Sequence, residues 1–245
     1  MLIILPPSEA KADGGDLPPL DLDRLHFSSL TPVREEIIED LLALEPLAMQ
    51  RVLKLSDRLW SEVEANIALR DSPCTPALRR YTGVLYDALD AEHLPPRAWE
   101  RILLSSAMFG FLHATDPIPH YRLSGGSTLP RRDGGTATMK SRWSPTLSAA
   151  GAELPGLIID ARSGAYAQLG TIPGALTLTV MKEKPDGSRS VVSHVNKKYK
   201  GVLTRVLASA EEELESAGDV VDYTAEHGLH MEIPKDAQLH LIVRE

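Results

Sequence analysis

The sequence contains one cysteine, Cys74, and no long apolar segment among its 245 residues. A single cysteine excludes an intrachain disulfide, a CxxC redox pair and a thiolate zinc cluster. The opening segment, residues 1–5, is apolar, but it has no basic residues before it and is followed by two prolines, so we expect neither a signal peptide nor a membrane anchor. These absences predict a cytoplasmic protein that does not contact membranes.

Several common site motifs are missing as well. The sequence has no P-loop, no GxGxxG and no GxSxG. It has no HExxH or His/Cys cluster, and the two histidines His227 and His230 fall on opposite faces of a predicted strand. We therefore predict no metal site and no cofactor, and no established catalytic motif identifies the chain as an enzyme.

The composition is that of an ordinary globular protein, with 43% hydrophobic and 24% charged residues. A chain of this length buries about three quarters of the surface that it exposes when unfolded, so it needs no disulfide or metal for stability. We expect a single domain over residues 1–245.

The charge is distributed unevenly along the chain. The total is 26 basic and 34 acidic residues, a net charge of −8, and taken alone this total disfavours nucleic acid as a partner. Residues 1–100 carry 10 basic and 18 acidic side chains, residues 101–210 carry 14 and 6, and residues 211–245 carry 2 and 10. The middle block, residues 101–210, is therefore basic, and this asymmetry points to a polyanionic partner.

Two basic clusters lie within residues 101–210. We call the first, Arg131, Arg132, Lys140 and Arg142, the arginine cluster, and the second, Lys197, Lys198, Lys200 and Arg205, the lysine cluster. Each cluster either contacts a polyanion or is a solvated charged surface, and the sequence leaves both interpretations open.

Apolar periodicity predicts mainly helices in the first hundred residues and mainly strands afterwards. After a buried strand at residues 1–5, helices are predicted at 33–49, 56–69, 76–89 and from Pro95 onwards. A buried strand running into a turn is predicted at 101–112, followed by a helix at 140–150, a strand at 157–161, a hairpin of 176–181 with 190–195, a helix at 196–215, and strands at 229–233 and 239–243. This order predicts an α+β fold in which helices surround a mixed β-sheet.

The predicted helix 196–215 carries charges that oppose its own dipole, with lysines in its first turn and glutamates in its last. A helix N-terminus already presents free N–H groups, so lysines there favour an anion site, typically for phosphate. The alternative is that these lysines pair with acidic residues of the first hundred.

Two short segments contain residue types suited to a site. Ser8 and Lys11 follow the first strand and are compatible with a Ser/Lys nucleophile, although a capping serine followed by a surface lysine is the commoner arrangement. In the segment 119–122, Tyr121 can stack on a base and Arg122 can bind a phosphate, or the pair can brace a loop inside the protein.

Five segments in the same order resemble one family, the peroxide stress protein YaaA group. They are the loop after the first strand, a Ser-Asp-x-Leu helix start, a Gly-x-x-Tyr segment, a long stretch that ends in a Tyr-Arg-Leu motif, and a lysine-rich helix start, here residues 5–11, 56–59, 83–86, 104–123 and 196–201. The stretch 104–123 departs from the family pattern, because Ser106 replaces the first glycine of a hairpin and His113 with Ala114 replaces Arg-Pro.

The resemblance implies a cytosolic protein of mixed α/β fold that is associated with resistance to hydrogen peroxide and with low reactive iron. It also implies binding of duplex DNA in a basic cleft through a helix-hairpin-helix-like element.

Our first functional hypothesis is therefore a protein of the peroxide response that grips the backbone of duplex DNA with little sequence specificity. The predicted phosphate contacts are Lys197, Lys198, Lys200, Arg131, Arg132 and Arg142, with Tyr121 and Arg122 in the cleft.

The alternative hypothesis is an enzyme that acts on a nucleotide or a damaged nucleobase in the same cleft. Its candidate residues are Ser8, Lys11, Tyr86, Tyr121, Arg122 and Lys198. A third possibility is a protein that binds a small anion or metabolite.

Overall fold

A computed structural model describes residues 1–191 and 196–244. The strands are β1 Leu2–Leu5, β2 Leu17–Pro19, β3 Pro73–Pro76, β4 Ile102–Ser106, β5 Gly110–His113, β6 Pro117–Ile118, β7 Thr128–Pro130, β8 Thr136–Thr138, β9 Ile158–Asp160, β10 Leu176–Glu183, β11 Arg189–Val191, β12 His230–Glu232 and β13 Gln238–Arg244. The α-helices are α1 Thr31–Leu42, α2 Pro46–Val52, α3 Trp60–Ile67, α4 Ala77–Arg80, α5 Val84–Leu89, α6 Pro96–Glu100, α7 Met139–Ala152, α8 Gly164–Ala167, α9 Asn196–Ala208 and α10 Ala217–Glu226.

The central sheet has the strand order β12-β13-β10-β9-β1-β4-β5, and β11 also pairs with β10. The five inner strands from β13 to β4 run parallel, whereas β5, β11 and β12 are antiparallel to their neighbours. The predicted α+β class with a mixed sheet and surrounding helices is confirmed. Because parallel strands end at a common edge, the segments after β1, β4 and β9 meet there.

The sheet centre is apolar because it is covered on both faces. Ile3, Ile4 and Leu5 of β1 are all buried, as expected for a strand inside a parallel sheet. Helix α9 packs against α5 at a very short distance, since a Cβ atom on Gly201 would lie 2.1 Å from the carbonyl oxygen of Leu85. Glycine is therefore required at this contact, which fixes the start of α9 against α5.

Several predicted elements differ in extent. The segment predicted as one helix at 33–49 forms two helices, because the backbone is extended at Glu45 and a new helix begins at Pro46. The helix predicted at 76–89 is interrupted by Gly83, whose φ of 95° lies outside the helical range. Residues 192–195 of the predicted hairpin lie outside the described residues.

The prediction of one helix over 196–215 is wrong. Helix α9 ends at Ala208, and α10, which we did not predict, starts at a capping box formed by Ser216 and Asp219. Glu211 and Glu213 lie between the helices and pair with Arg97 and Arg101. The last turn of α9 therefore carries no glutamate, and only the lysines in its first turn oppose the dipole.

The expected helix-hairpin-helix-like element is not seen at residues 102–113, within the stretch on which it was based. Residues 102–113 form the antiparallel pair β4–β5, joined by a three-residue turn. The strand and turn predicted for 101–112 are confirmed.

Candidate functional site

Lys11 occupies the centre of the edge where the parallel strands end. Its amino group donates to the carbonyl oxygens of Ser8 (3.2 Å) and Glu9 (3.4 Å). The same Nζ lies 4.3 Å from the ring centroid of Tyr121 and 5.5 Å from that of Tyr81. The contact with Ser8 involves its carbonyl group, so no Ser/Lys nucleophile pair is formed by these two side chains.

The electrostatic surroundings of Lys11 are unusual for a lysine. Burial lowers the pKa of Lys11 to about 7, while the Glu62 carboxylate opposes this shift and the Arg122 guanidinium adds to it. Among the described residues, no carboxylate lies within ion-pair distance of the amine. A lysine with a pKa in this range is a mixture of ammonium and free amine at neutral pH, and the free amine is both a base and a nucleophile.

A chain of buried hydroxyl groups holds the ring beneath Lys11. The Tyr121 hydroxyl lies 2.6 Å from that of Tyr81 and 2.7 Å from that of Ser106. Ser106 Oγ also accepts backbone N–H groups from Met108 (3.1 Å) and Phe109 (3.0 Å). Because those two bonds occupy its lone pairs, Ser106 donates to Tyr121, and Tyr121 in turn donates to Tyr81.

Tyr86 joins this group from α5. Its hydroxyl donates to the carbonyl oxygen of Pro6 at 2.7 Å, and its ring lies 5.5 Å from that of Tyr81. Burial raises the pKa of Tyr81, Tyr86 and Tyr121. These phenols therefore remain protonated near neutral pH and serve as hydrogen-bond donors rather than as bases.

Helix α3 positions the opposite wall of the site. Glu62 lies 3.1 Å from His120 Nε2, and Asn66 clamps the backbone of Arg122 with bonds of 2.8 and 2.9 Å. Four residues along a helix span about 6 Å, close to the span of two residues in an extended chain, so Glu62 and Asn66 match His120 and Arg122. Tyr121, between the two, points to the other side, towards Lys11.

Glu62 carries a negative charge within this wall. Burial opposes its ionisation, but the hydrogen bond and charge of His120, with the charges of Lys11 and Arg122, outweigh burial and lower the pKa of Glu62. The carboxylate therefore accepts a charge-assisted hydrogen bond from the imidazole, and both side chains line the same pocket as Lys11.

Two cavities lie at this site, and the second is lined by the ion pair between Glu9 and Arg122, whose atoms are 2.8 Å apart. The Lys11 pocket has a volume of about 360 Å³ and is lined by Ala10, Lys11, Asp13, Ser61, Glu62, Ala65 and His120. The Arg122 pocket has a volume of about 410 Å³ and is lined by Glu9, Val52, Leu53, Lys54, Arg122, Leu123, Ser124, Gly126, Ser127 and Thr128.

The structure thus brings together all five cleft candidates: Ser8, Lys11, Tyr86, Tyr121 and Arg122. Sequence reasoning missed Glu62, Asn66 and Tyr81, and treated Ser106 only as a replaced glycine. The i, i+4 spacing of Glu62 and Asn66 on a predicted helix is a signal that could have found the first two.

The arginine cluster faces acidic residues of α1. Arg131 pairs with Glu36, and Arg132 pairs with Glu39. Arg142 is buried, and its Nη1 lies 2.6 Å from both Glu36 and Asp40. Its guanidinium has no free surface for a phosphate, so the expected contact of Arg142 with DNA is inconsistent with this arrangement.

The lysine cluster is divided between surface and interior. Lys197 and Lys198 are exposed and have no ion-pair partner among residues 1–191 and 196–244. Lys200 is buried, and its amine donates to the carbonyl oxygen of Ala161 at 2.7 Å, so the expected phosphate contact is not available to it. Arg205 pairs with Asp90.

The described part of the chain contains no group of three or more His, Cys, Asp or Glu side chains arranged to hold a metal ion. None of its helices has the length and apolar character that crossing a bilayer requires.

Comparison with known proteins places the chain in a family. The sequence matches the family model of peroxide stress protein YaaA over residues 1–232. UPF0246 proteins of Corynebacterium glutamicum and Corynebacterium efficiens are each 53% identical to it, over 232 and 233 residues that cover 95% of this chain and 95% of each relative. A UPF0246 protein of Streptomyces coelicolor is 36% identical over 251 residues, covering 97% of this chain and 94% of that protein. The chain therefore belongs to the peroxide stress protein YaaA family.

Proposed function

We propose that the chain is an enzyme of the peroxide stress response that acts on a nucleotide or a damaged nucleobase, with the amine of Lys11 as its reactive group. The observation that carries this proposal is the position of that amine. It lies over the Tyr121 ring, lines a pocket with the Glu62–His120 pair, and has a pKa lowered by burial to about 7.

The surrounding residues fit defined roles in such a site. The lone pair of the neutral Lys11 amine takes a proton from the bound ligand, and the amine becomes an ammonium group. The Glu62 carboxylate holds the His120 imidazole in place on the opposite wall of the pocket. The hydroxyl chain of Tyr121 keeps the aromatic face under the amine in one orientation.

Turnover of oxidised purine nucleotides by the purified protein tests this proposal. Lys11→Met should abolish turnover and Tyr121→Phe should reduce it strongly, whereas Lys140→Met, on an exposed lysine of α7, should leave turnover unchanged. Equal turnover by the Lys11→Met variant and the unaltered protein would refute the role of the amine. Failure of the unaltered protein to turn over any nucleotide or oxidised base would refute the enzyme itself.

A second candidate function is binding of duplex DNA, and it is favoured by the exposed Lys197 and Lys198 in the first turn of α9. The free N–H groups of a helix start and two uncompensated lysines form a suitable contact for backbone phosphates. The three arginines of the arginine cluster contribute little to such a surface, because α1 carboxylates pair with them.

DNA affinity measured over a range of salt concentrations tests the second candidate. The double change of Lys197 and Lys198 to Glu should remove most of the affinity and lower the slope against salt by about two. Lys235→Glu, at the opposite edge of the sheet, is the control for charge alone. Affinity that is equal in the double variant and the unaltered protein would refute DNA contact at this helix.

A further inference from the structure

The Arg122 pocket adjoins the Lys11 pocket but differs from it in chemistry. Its wall combines two cationic side chains, Lys54 and Arg122, with the hydroxyl groups of Ser127 and Thr128. Within the described part of the chain, neither hydroxyl has a hydrogen-bond partner, and the amine of Lys54 has none. Several unused donors around one cavity of about 410 Å³ are suited to an anion with several acceptor oxygens.

Arg122 is held so that its guanidinium can serve this cavity. Asn66 is fully buried and binds both the N–H and the C=O of Arg122, which fixes the backbone. The guanidinium contacts Glu9 twice, through the carboxylate at 2.8 Å and the carbonyl oxygen at 3.3 Å. It therefore retains N–H groups for a ligand, in the planar arrangement that binds phosphate.

Glu9, the ion-pair partner of Arg122 in this structure, is easily displaced. The Glu9 side chain is 73% exposed, and ion pairs with one exposed partner contribute little because water competes for the charge. A phosphate dianion carries more charge and more acceptor oxygens than this carboxylate, so it competes well for the guanidinium.

One backbone atom lies between the Lys11 amine and the Arg122 guanidinium. The carbonyl oxygen of Glu9 lies 3.4 Å from Lys11 Nζ and 3.3 Å from Arg122 Nη1. The two cationic groups are therefore close enough for one small ligand to contact both.

We propose that the Arg122 pocket binds the terminal phosphate of the substrate, so that the substrate is a phosphomonoester such as a nucleoside monophosphate and not a free nucleoside or base. The inference rests on the proposed function for the identity of the reacting group at Lys11, but the phosphate site itself stands on the geometry around Arg122. Glu9 acts as the internal competitor that leaves Arg122 when phosphate enters.

Calorimetric titration with oxidised deoxyguanosine monophosphate, its nucleoside and inorganic phosphate tests the site. The monophosphate should bind at least about tenfold more tightly than the nucleoside, and inorganic phosphate should compete with it. Arg122→Met should weaken binding of the monophosphate about tenfold and Lys54→Met a few fold. Glu9→Gln should tighten it, because the competing charge is gone. Arg51→Met, an exposed arginine of α2 outside the pocket, is the control of equal charge change.

The Glu9→Gln and Lys54→Met variants keep the test valid if Arg122→Met does not fold. A nucleoside that binds as tightly as its monophosphate, or affinities unchanged in both variants, would overturn the phosphate site. Competition by inorganic phosphate without any discrimination between monophosphate and nucleoside would mean a free-phosphate site and would also overturn the substrate class. The two proposals fail separately: turnover that is equal for nucleoside and monophosphate refutes the phosphate site alone, whereas phosphate-dependent binding without turnover refutes the enzyme alone.

Discussion

Arg142 is a buried basic residue and Lys11 is a partly buried one, and they differ in whether a carboxylate lies next to the charged group. The Arg142 guanidinium meets two carboxylates, those of Glu36 and Asp40. Among the described residues, the Lys11 amine contacts carbonyl oxygens and the rings of Tyr121 and Tyr81, and no carboxylate pairs with it. A buried charge is costly unless it is paired. The paired cation therefore stabilises the fold, whereas the cation without a carboxylate partner has a lowered pKa.

The largest loss of stability should come from removing Arg142, the cation that is paired with carboxylates. Arg142→Met leaves the buried carboxylate of Asp40 without its buried ion-pair partner, and we expect the free energy of unfolding in urea to fall by about 3 kcal/mol. Arg131→Met, which removes a half-exposed partner of Glu36, should change it by less than about 1 kcal/mol. Equal effects of the two substitutions would show that burial does not distinguish these arginines.

The same pair gives the stability a defined dependence on acid. Burial opposes ionisation of Asp40, but hydrogen bonds from Arg132 and Arg142 outweigh it and lower its pKa. The ionised carboxylate therefore stabilises the fold at pH values above its ordinary pKa of about 3.9, and this contribution is lost as the pH falls through the lower folded value. Arg142→Met should weaken this loss of stability on acidification.

An intermediate effect should follow from the serine that supports the ring under Lys11. Ser106→Ala leaves the N–H groups of Met108 and Phe109 buried without an acceptor, and we expect a loss of about 2 kcal/mol in the free energy of unfolding. Its neighbour Ser105 is equally buried, but its hydroxyl has no partner among the described residues. Ser105→Ala should therefore be neutral or stabilising, and a comparable loss there would contradict the assigned role of Ser106.

The smallest effect on stability should come from Lys11 itself. Lys11→Met removes a cation without a carboxylate partner and replaces it with an apolar chain of similar length, so we expect a change of less than about 1 kcal/mol at pH 7, or a gain. With a folded pKa of about 7 against about 10.4 unfolded, the unfolded state holds more protons between these values, and the stability of the unaltered protein should rise over that interval.

The Lys11→Met variant should lack this rise in stability with pH. Denaturation in urea at pH 7, 8 and 9 measures both effects. A strong loss of stability in Lys11→Met, or the same pH dependence in both proteins, would mean that Lys11 is a structural cation like Arg142.

Much of the fold could be predicted from the sequence because its signals are local. The buried run of β1, the strand and turn at 101–112, and the strands near the end of the chain all have the expected positions. The breaks at Gly83 and after Ala208 were missed, since a helical apolar pattern continues across both and only tertiary contacts and capping decide where the helix ends.

The candidate site was predictable only in part, for a different reason. Lys11, Tyr121 and Arg122 were predicted as cleft residues from their residue types and from a family resemblance. The pairing of Arg142 with Asp40 joins positions about a hundred residues apart, and nothing in local spacing says which acidic face a basic cluster meets. The burial of Lys200 was likewise invisible, because its carbonyl partner at Ala161 belongs to another strand end.

The match between α3 and the segment that carries His120 and Arg122 constrains how this protein can vary. Substitutions within the segment change one wall residue at a time, but loss or gain of a single residue exchanges the two faces of the extended chain. Tyr121 would then face α3, and the side chains of His120 and Arg122 would face the hydroxyl groups of Tyr81 and Ser106. The matched spacing of Glu62 with Asn66 and of His120 with Arg122 therefore tolerates substitutions but not insertions or deletions. A design that moves this site to another protein would have to transfer both segments together.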